Sequence, residues 1–290
     1  MNDDRNKFCR ALEEKNTAGL LAAPKSDIHN HSVKGCRKAW LEDRLKCKFS
    51  DSPDKKADKH MNKILDNKKV IFLDVGYTLD SPVSGDWMLT NMFYEVVGDK
   101  IKDIDPGEIK RAKYVGIDYL EKNHLITTMD VEYEQYIEFY SIVSKELGFE
   151  LSLKQLEEIA HDKTFNMKNY IAYPGTVEAV EELSKNFMLG IISDTWPSIT
   201  PQLEYIGVLK YISFYTYSCF LGVFKPDERM YLDALSKCGV PAGETVFVDD
   251  RIINLEGASK FGITPVLITV NPDSDVETSY VKIKELKDLL

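Results

Sequence analysis

The sequence predicts an α/β fold built on a doubly wound parallel sheet, with an inserted α-helical cap domain. From about residue 171 onward, short apolar runs alternate with amphipathic segments, as strands and crossover helices do in a parallel sheet. The wholly apolar run VIFL, followed by an acid, is typical of a first buried strand. Between this run and the later strands, residues 83–170 repeat apolar side chains at three- and four-residue steps, which predicts helices.

Each element of the predicted sheet has its own signal. The first strand lies in KKVIFLD, and FMLGIIS, ISFYTY, TVFV and TPVLIT are the later strands. TVEAVEELSKN, DERMYLDALSKCG and NLEGASKFG are predicted helices, and the last two end on a glycine, which favours helix termination. Within the insert, IKRAKYVGIDYLEKN and DVEYEQYIEFYSIVSKELG predict two amphipathic helices.

Composition restricts the class of protein. The chain has 290 residues, 43% of them hydrophobic, which is enough for a sizeable core. A net charge of −10 argues against a general nucleic-acid binder or an anionic-membrane binder. No apolar run approaches the roughly 20 residues of a membrane span, and the first residues do not resemble a signal peptide. Five cysteines without regular spacing predict reduced thiols, and therefore a cytoplasmic protein.

The first 60 residues differ from the rest of the chain. They hold 14 Lys and Arg against 10 Asp and Glu, whereas the remainder holds 23 against 37. The polar segment SDSPDKKADKH ends this part as a linker, and Met61 is a plausible independent start. We therefore expect an N-terminal extension at 1–60, non-catalytic or disordered in part. The α/β core is predicted at 61–82 and 171–290, with the helical cap at 83–170.

Polar residues stand where four elements of the predicted sheet end or begin. Asp74 follows the first strand, Ser193 ends the second, Lys225 precedes a helix, and Asp249 and Asp250 follow another strand. Ligands of doubly wound sheets bind at the carboxyl ends of the strands, so these side chains are expected to converge. Neighbouring carboxylates repel unless a cation such as Mg²⁺ neutralises them, while lysine and serine suit phosphoryl oxygens. A carboxylate facing phosphorus can act as a nucleophile.

The order DVGYT, ISD, KPD and VFVDD resembles that of the haloacid dehalogenase-like (HAD) hydrolase superfamily, over about residues 68–290. The helical insert resembles the caps found between the first two motifs of some members. The resemblance implies a Rossmann-like core, a Mg²⁺ cofactor and an aspartyl-phosphate intermediate. By resemblance, Asp74 is the nucleophile and a metal ligand, and Lys225 orients it and stabilises transferred charge. By the same resemblance, the phosphoryl group is bound by Ser193, Asp194 and Lys225. The implied metal ligands are Asp74, the Gly76 carbonyl, Asp249 and Asp250.

The implied function is hydrolysis of a small phosphate monoester, with no nucleic-acid or membrane partner; the sequence does not indicate the oligomeric state. The acid pair favours phosphate chemistry over dehalogenation, which needs no Mg²⁺. Gly76 departs from the family pattern, because most of its phosphatases carry there a second Asp that serves as general acid. A phosphatase with glycine at this position is one interpretation. A weak or inactive relative that binds a phosphorylated ligand or a protein partner is another, and a phosphomutase is a third.

Further residues have weaker claims to a role. Asp80 and Asp86 are candidate surrogate acids, although solvated loop residues are the simpler interpretation. Trp196 and Arg251 follow two of the motifs and could contact substrate. Within the cap, the candidates for substrate selection are Trp87, Arg111, Tyr114 and His124. Two cysteines in apolar surroundings, Cys219 and Cys238, are predicted to be core residues.

A second resemblance lies in the N-terminal extension. Residues 20–48 are similar to the opening of adenosine-deaminase-like amidohydrolases, in which a pair such as His29 and His31 binds zinc. The barrel of those enzymes needs about 250 residues, and nothing after residue 60 supplies it. Two histidines do not complete a zinc site, so we interpret this segment as a remnant, a fusion or an upstream start. A contribution from Cys36 or Cys47 is the less favoured alternative.

Overall fold

The computed structural model describes residues 64–290. The predicted extension at 1–60, with His29 and His31, lies outside these residues. The strands within the described part are β1 (Val70–Leu73), β2 (Asp80–Pro82), β3 (Tyr170–Ala172), β4 (Met188–Ser193), β5 (Phe214–Tyr217), β6 (Thr245–Asp249), β7 (Thr264–Ile268) and β8 (Val281–Ile283). Six of them form one parallel sheet in the order β5-β4-β1-β6-β7-β8. The predicted doubly wound α/β fold is confirmed.

Strand β1 lies at the centre of this sheet. Leu73 is in register with Ile191 of β4 and with Val248 of β6, so the three strands end at the same edge. Alternate side chains of β1 point to opposite faces, as the pleat requires. Ile71 and Leu73 join one apolar core, and Val70 and Phe72 join another on the opposite face. The VIFL run is wholly apolar because both faces of its strand are covered.

Four helices lie between β2 and β3: α1 (Asn91–Val97), α2 (Pro106–Lys122), α3 (Met129–Glu146) and α4 (Leu153–Phe165). They share an apolar core of their own. Local signals begin them: Thr128 caps α3, Ser152 and Gln155 form a capping box at α4, and Asp105 precedes Pro106 at α2. Strands β2 and β3 pair antiparallel at the base of this helical unit.

The remaining helices flank the sheet: α5 (Thr176–Ser184), α6 (Ile199–Tyr205), α7 (Ser218–Leu221), α8 (Glu228–Cys238) and α9 (Ile252–Ser259). Gly239 ends α8 in the left-handed conformation, as predicted. Helix α9 stops three residues before Gly262, which lies in the following turn at φ +83° instead of capping the helix. Short 3₁₀ helices occupy Gly98–Ile101, Met167–Asn169, Leu209–Tyr211, Ala242–Glu244, Pro272–Ser274 and Leu286–Leu289.

Three strands, β2, β3 and β8, were not predicted, because each has three residues and no alternation long enough to identify it. Cys219 and Cys238 are buried, as expected of core residues. Within residues 64–290, the chain forms no helix with the length and apolar character needed to span a membrane.

Candidate active site

Asp74 follows β1 at the edge of the sheet where the parallel strands end. Its N–H donates to the Val248 carbonyl of β6 (2.9 Å), which extends the ladder by one residue. The chain then turns sharply, and Tyr77 adopts φ +56° while its N–H donates to the Asp80 carbonyl (2.8 Å). Such a conformation is costly for a residue with a side chain and is concentrated at functional sites.

Lys225 joins the strand ends through its buried ammonium. Nζ donates to Asp74 Oδ1 (2.8 Å), to Asp249 Oδ2 (2.7 Å) and to the Ile192 carbonyl (3.2 Å). Its three N–H donors therefore have three acceptors. The two carboxylates stabilise the charged amine, so that the pKa of Lys225 is raised despite its burial. The other oxygen of Asp74, Oδ2, has no hydrogen-bond partner within the described residues, so it is available to react.

The acid pair at the end of β6 is divided between two environments. Asp249 is fully buried and accepts hydrogen bonds from Lys225, from the Arg251 N–H (2.7 Å) and from Asn254 Nδ2 (3.0 and 3.1 Å). Asp250 accepts one, from Ser274 Oγ (3.0 Å). Asp249 is thus held in place from three directions, whereas Asp250 retains more oxygen lone pairs for a ligand.

Asp74, Asp249 and Asp250 form a cluster that suits a hard divalent cation. Each offers a carboxylate oxygen, and these atoms lie within 4.8 Å of one another. Burial, together with the neighbouring carboxylates, raises the pKa of Asp74 to about 8 and that of Asp250 to about 6. A cation between them would relieve the repulsion, and an all-oxygen donor set is the type that Mg²⁺ prefers. The residues present therefore fit Mg²⁺.

Ser193 and Asp194 lie beside this cluster at the end of β4. Ser193 is buried, and its hydroxyl makes no hydrogen bond within residues 64–290, so it remains available to a ligand. The carboxylate of Asp194 accepts from the backbone N–H of Lys225 (2.8 Å). This contact fixes the segment that carries Lys225. Asp194 also lines the cavity at these strand ends, and its predicted part in phosphate binding stays a prediction.

A cavity of about 310 Å³ opens onto the strand ends, between the sheet and the helical unit. Asp74, Ser193, Lys225 and Asp250 line it, so the residues predicted to converge do so. The aromatic residues on its wall are Trp87, Tyr136, Tyr170 and Trp196, with Tyr77 at the nucleophile loop.

The other residues that the sequence suggests as substrate contacts fall into two groups, those that line the cavity and those that do not. Trp87, Trp196 and Arg251 line the cavity. Arg111 and Tyr114 are exposed on α2 and are not part of its wall. His124 is buried elsewhere, where its Nε2 hydrogen-bonds Ser218 Oγ (2.7 Å).

Neither proposed surrogate acid reaches the cavity wall. Asp80 is fully buried in β2, where Gln202 Nε2 donates to its carboxylate (2.6 Å), and burial raises its pKa to about 7. Asp86 caps the N–H groups of Met88 (2.8 Å) and Leu89 (3.1 Å) and pairs with Lys113. The interpretation as solvated loop residues is therefore wrong for Asp80, which is a buried strand residue, whereas Asp86 is a partly exposed loop residue.

Sequence reasoning missed the cavity residues that come from α3, α4 and β3, above all Lys163. A signal was present in the sequence. Leu156, Ile159 and Ala160 mark the buried stripe of α4, and Lys163 lies one turn further along the same stripe. A charged residue on an apolar helix face is unusual, and here it marks the cavity wall.

Comparison with known proteins places the chain among hydrolases. Residues 108–268, more than half of the chain, match the haloacid dehalogenase-like hydrolase family. The chain is 28% identical over 181 residues to (S)-2-haloacid dehalogenase 4A of Burkholderia cepacia, a match that spans 57% of this chain and 77% of that protein. It is 29% identical over 92 residues to the GMP/IMP nucleotidase YrfG of Escherichia coli (strain K12), which is 31% of this chain and 41% of the nucleotidase.

Solved structures share the fold at low sequence identity. A magnesium-bound HAD-hydrolase, YfnB from Bacillus subtilis, superposes with a TM-score of 0.55 at 17% identity, over 77% of this chain and 96% of that one. A 2-haloacid dehalogenase from Pseudomonas syringae pv. Tomato DC3000 does so with a TM-score of 0.53, also at 17% identity and with the same two coverages. At these identities the likeness establishes the fold.

Proposed function

The chain belongs to the haloacid dehalogenase-like hydrolase family, and we propose that it is a Mg²⁺-dependent phosphatase that hydrolyses a small phosphate monoester. One observation carries the choice of phosphatase: the carboxylates of Asp74, Asp249 and Asp250, with oxygens within 4.8 Å of one another beside Lys225. Substitution of halide at carbon does not need a divalent cation, and so does not need a third carboxylate at this edge of the sheet. The match to a nucleotidase supports the same chemistry.

In the proposed reaction the phosphoryl group lies at the strand ends, against the Ser193 hydroxyl. Asp74 Oδ2 attacks phosphorus in line while Lys225 holds Oδ1. A phosphorus–oxygen bond forms to Asp74, the bond to the leaving oxygen breaks, and that oxygen takes a proton from water. Water then attacks the phosphorus of the aspartyl-phosphate, which releases inorganic phosphate and regenerates the carboxylate. Asp74, the Gly76 carbonyl and Asp250 would hold Mg²⁺, with Asp249 beside them, and the ion would neutralise charge on the approaching phosphate.

Gly76 limits which leaving groups the reaction tolerates. Position 76 carries no carboxyl group, and Asp80 and Asp86 are engaged elsewhere. Asp249 and Asp250 do lie beside Asp74, but the proposal assigns them to Lys225 and to the metal, so the usual general acid for the leaving oxygen is missing. A missing general acid costs about 10²–10⁴-fold in rate. Substrates with acidic leaving groups, such as acyl, anomeric or aryl phosphates, lose least from its absence.

Haloacid dehalogenation is the second candidate, and two observations favour it. Position 76 carries no carboxyl group, and the match to a haloacid dehalogenase spans three quarters of that enzyme. In that reaction Asp74 would attack carbon and expel halide, without a general acid.

One assay separates the two candidates. The full-length protein is incubated with phenyl phosphate and with (S)-2-chloropropionate, with Mg²⁺ or with EDTA, and free phosphate and chloride are measured. The proposal predicts phosphate release that requires Mg²⁺ and is lost in Asp74→Asn. Chloride release that persists in EDTA would contradict the phosphatase proposal and support dehalogenation. Binding of phenyl phosphate without release of either product would point to a non-catalytic ligand-binding protein.

A further inference from the structure

Two buried lysines line the cavity, and they differ in how many of their N–H donors have an acceptor. Lys225 has three acceptors for its three N–H groups. Lys163 is also buried, with 5% of its surface exposed, yet its Nζ donates one hydrogen bond within the described residues, to Tyr170 Oη (2.7 Å). An ammonium has three donors, so two of them have no acceptor from this part of the chain.

The surroundings of Lys163 are suited to holding a cation without neutralising it. Nζ lies 5.0 Å from the centre of the Tyr136 ring and 5.3 Å from that of Tyr170. Aromatic faces attract a cation but leave its charge in place. Trp87 stacks on Tyr170 at 6.1 Å between ring centres and continues the aromatic wall toward the nucleophile loop.

No carboxylate of the described residues forms an ion pair with Lys163. Glu132 lies near enough to feel its charge, but the oxygens of Glu132 are held by the N–H (2.7 Å) and the hydroxyl (2.6 Å) of Ser198. Buried charges are normally paired, because removal from water costs several kcal/mol per ion. The missing partner of Lys163 is then best supplied by something that enters the cavity.

From this geometry we propose that Lys163 binds a second anionic group, on the leaving part of the substrate. The inference rests on the proposed phosphatase function. It narrows the substrate class to phosphate monoesters that carry a further carboxylate or phosphate, small enough for a cavity of about 310 Å³. The reacting phosphoryl group takes the end of the cavity at Asp74 and Ser193, and the second anion takes the end at Lys163 and Tyr170.

The test compares two aryl phosphates whose leaving phenols have similar pKa values: 3-carboxyphenyl phosphate and phenyl phosphate. Both are given to the wild type and to Lys163→Met, Lys163→Arg and Lys154→Met. Lys154 lies exposed on the same helix, so the last variant is the matched control. Wild type and Lys154→Met should prefer the carboxylated substrate, and Lys163→Met should lose about tenfold or more in kcat/KM for that substrate alone. Lys163→Arg should retain part of the preference.

Two results would overturn the inference: a wild type without preference for the carboxylated ester, or an equal loss on both substrates in Lys163→Met, which would indicate a structural role. If the wild type hydrolyses neither ester, the phosphatase proposal fails, and calorimetric binding to Asp74→Asn then decides the role of Lys163. Tighter binding of 3-carboxyphenyl phosphate than of phenyl phosphate, abolished by Lys163→Met in the same background, would sustain it. Equal binding would reject it.

Discussion

The indole of Trp87 lies directly against Gly76, where many phosphatases of this family carry their second aspartate. A Cβ atom at position 76 would lie 3.0 Å from Cζ2 and 3.3 Å from Cη2 of that ring, inside the usual carbon–carbon contact of about 3.5–4.0 Å. The ring is itself held by Tyr77 and Tyr170, at 5.2 and 6.1 Å between centres. Gly76 and Trp87 therefore form a pair, in which the ring packs where a side chain at position 76 would otherwise lie.

This pair predicts that Gly76→Asp alone does not restore a general acid, because the new side chain has to displace Trp87. In the double variant Gly76→Asp/Trp87→Ala, the carboxyl group has room. We expect kcat/KM of the wild type to fall steeply across aryl phosphates as the pKa of the leaving phenol rises. The slope should stay steep in Gly76→Asp and in the control Trp87→Ala, and become shallower in the double variant. Equal slopes in wild type and double variant would refute this interpretation.

Removal of the Lys225 ammonium should destabilise the protein. Lys225→Met leaves Asp74 and Asp249 buried without their cation, and breaking a buried ion pair in this way costs about 3–5 kcal/mol. Urea denaturation should give that loss in EDTA and a smaller one in Mg²⁺, since a bound cation would partly replace the lysine. Lys237→Met, which removes a half-exposed partner of Asp233, is the control and should cost less than about 1 kcal/mol. An unchanged stability of Lys225→Met in EDTA would be inconsistent with the ion-pair geometry.

Glu132 gives stability a pH dependence. Burial raises its pKa from 4.5 to about 7, although the hydrogen bonds from Ser198 and the charge of Lys163 oppose the shift. The folded chain thus keeps a proton that the unfolded chain has lost. The stability contributed by this proton is complete below pH 4.5 and is lost as the pH rises through about 7.

Glu132→Gln keeps the shape of the side chain without the titration. Its amide oxygen can accept from the Ser198 N–H, and its NH2 group can donate to Ser198 Oγ in place of the bond that this hydroxyl donates to the carboxylate. Between about pH 5 and pH 8, the unfolding free energy of wild type should fall relative to this variant by on the order of 1–3 kcal/mol. Glu134→Gln, at an exposed position of the same helix, is the control. A constant difference between wild type and Glu132→Gln across this range would show that the carboxyl group does not titrate there.

The loss of Mg²⁺ affinity should be larger when a proposed metal ligand is replaced than when the residue that orients this ligand is replaced. Asp250→Asn removes a proposed ligand charge, and Ser274→Ala removes the hydroxyl that orients it. The Mg²⁺ concentration for half-maximal phosphate release should rise by about 100-fold in the first variant and about tenfold in the second. Asp273→Asn, exposed in the same turn, should leave it unchanged. If Asp250→Asn needed no more Mg²⁺ than wild type, Asp250 would not be a ligand.

The sequence was most informative where the fold itself brings residues together. Asp74 follows β1, while Ser193 and Asp249 are the last residues of β4 and β6. Adjacent parallel strands end at one edge of a sheet. Their convergence therefore follows from strand order alone. The same reasoning reaches Lys225, which precedes a helix on the same edge.

The cavity wall contributed by the helical unit was beyond such reasoning. Tyr136, Lys163 and Tyr170 come from separate elements, and their meeting depends on how α3 and α4 pack against each other and over the strand ends. Likewise, the engagement of Asp194 with the Lys225 backbone depends on a turn that no periodicity encodes. In the sequence, the signal for Lys163 was its position on the buried stripe of α4. That position predicts a buried side chain but does not indicate which residues surround it.

The central claim is that Asp74 attacks phosphorus, and trapping of its phosphoryl ester tests this most directly. Wild-type protein turning over phenyl phosphate with Mg²⁺ is quenched and reduced with borohydride, which converts an aspartyl-phosphate to homoserine, and the peptides are analysed by mass spectrometry. We predict homoserine at position 74 in the presence of substrate and Mg²⁺, and its absence when either is omitted. Phosphate release with Asp74 unmodified, or with the modification on another carboxylate, would contradict the account.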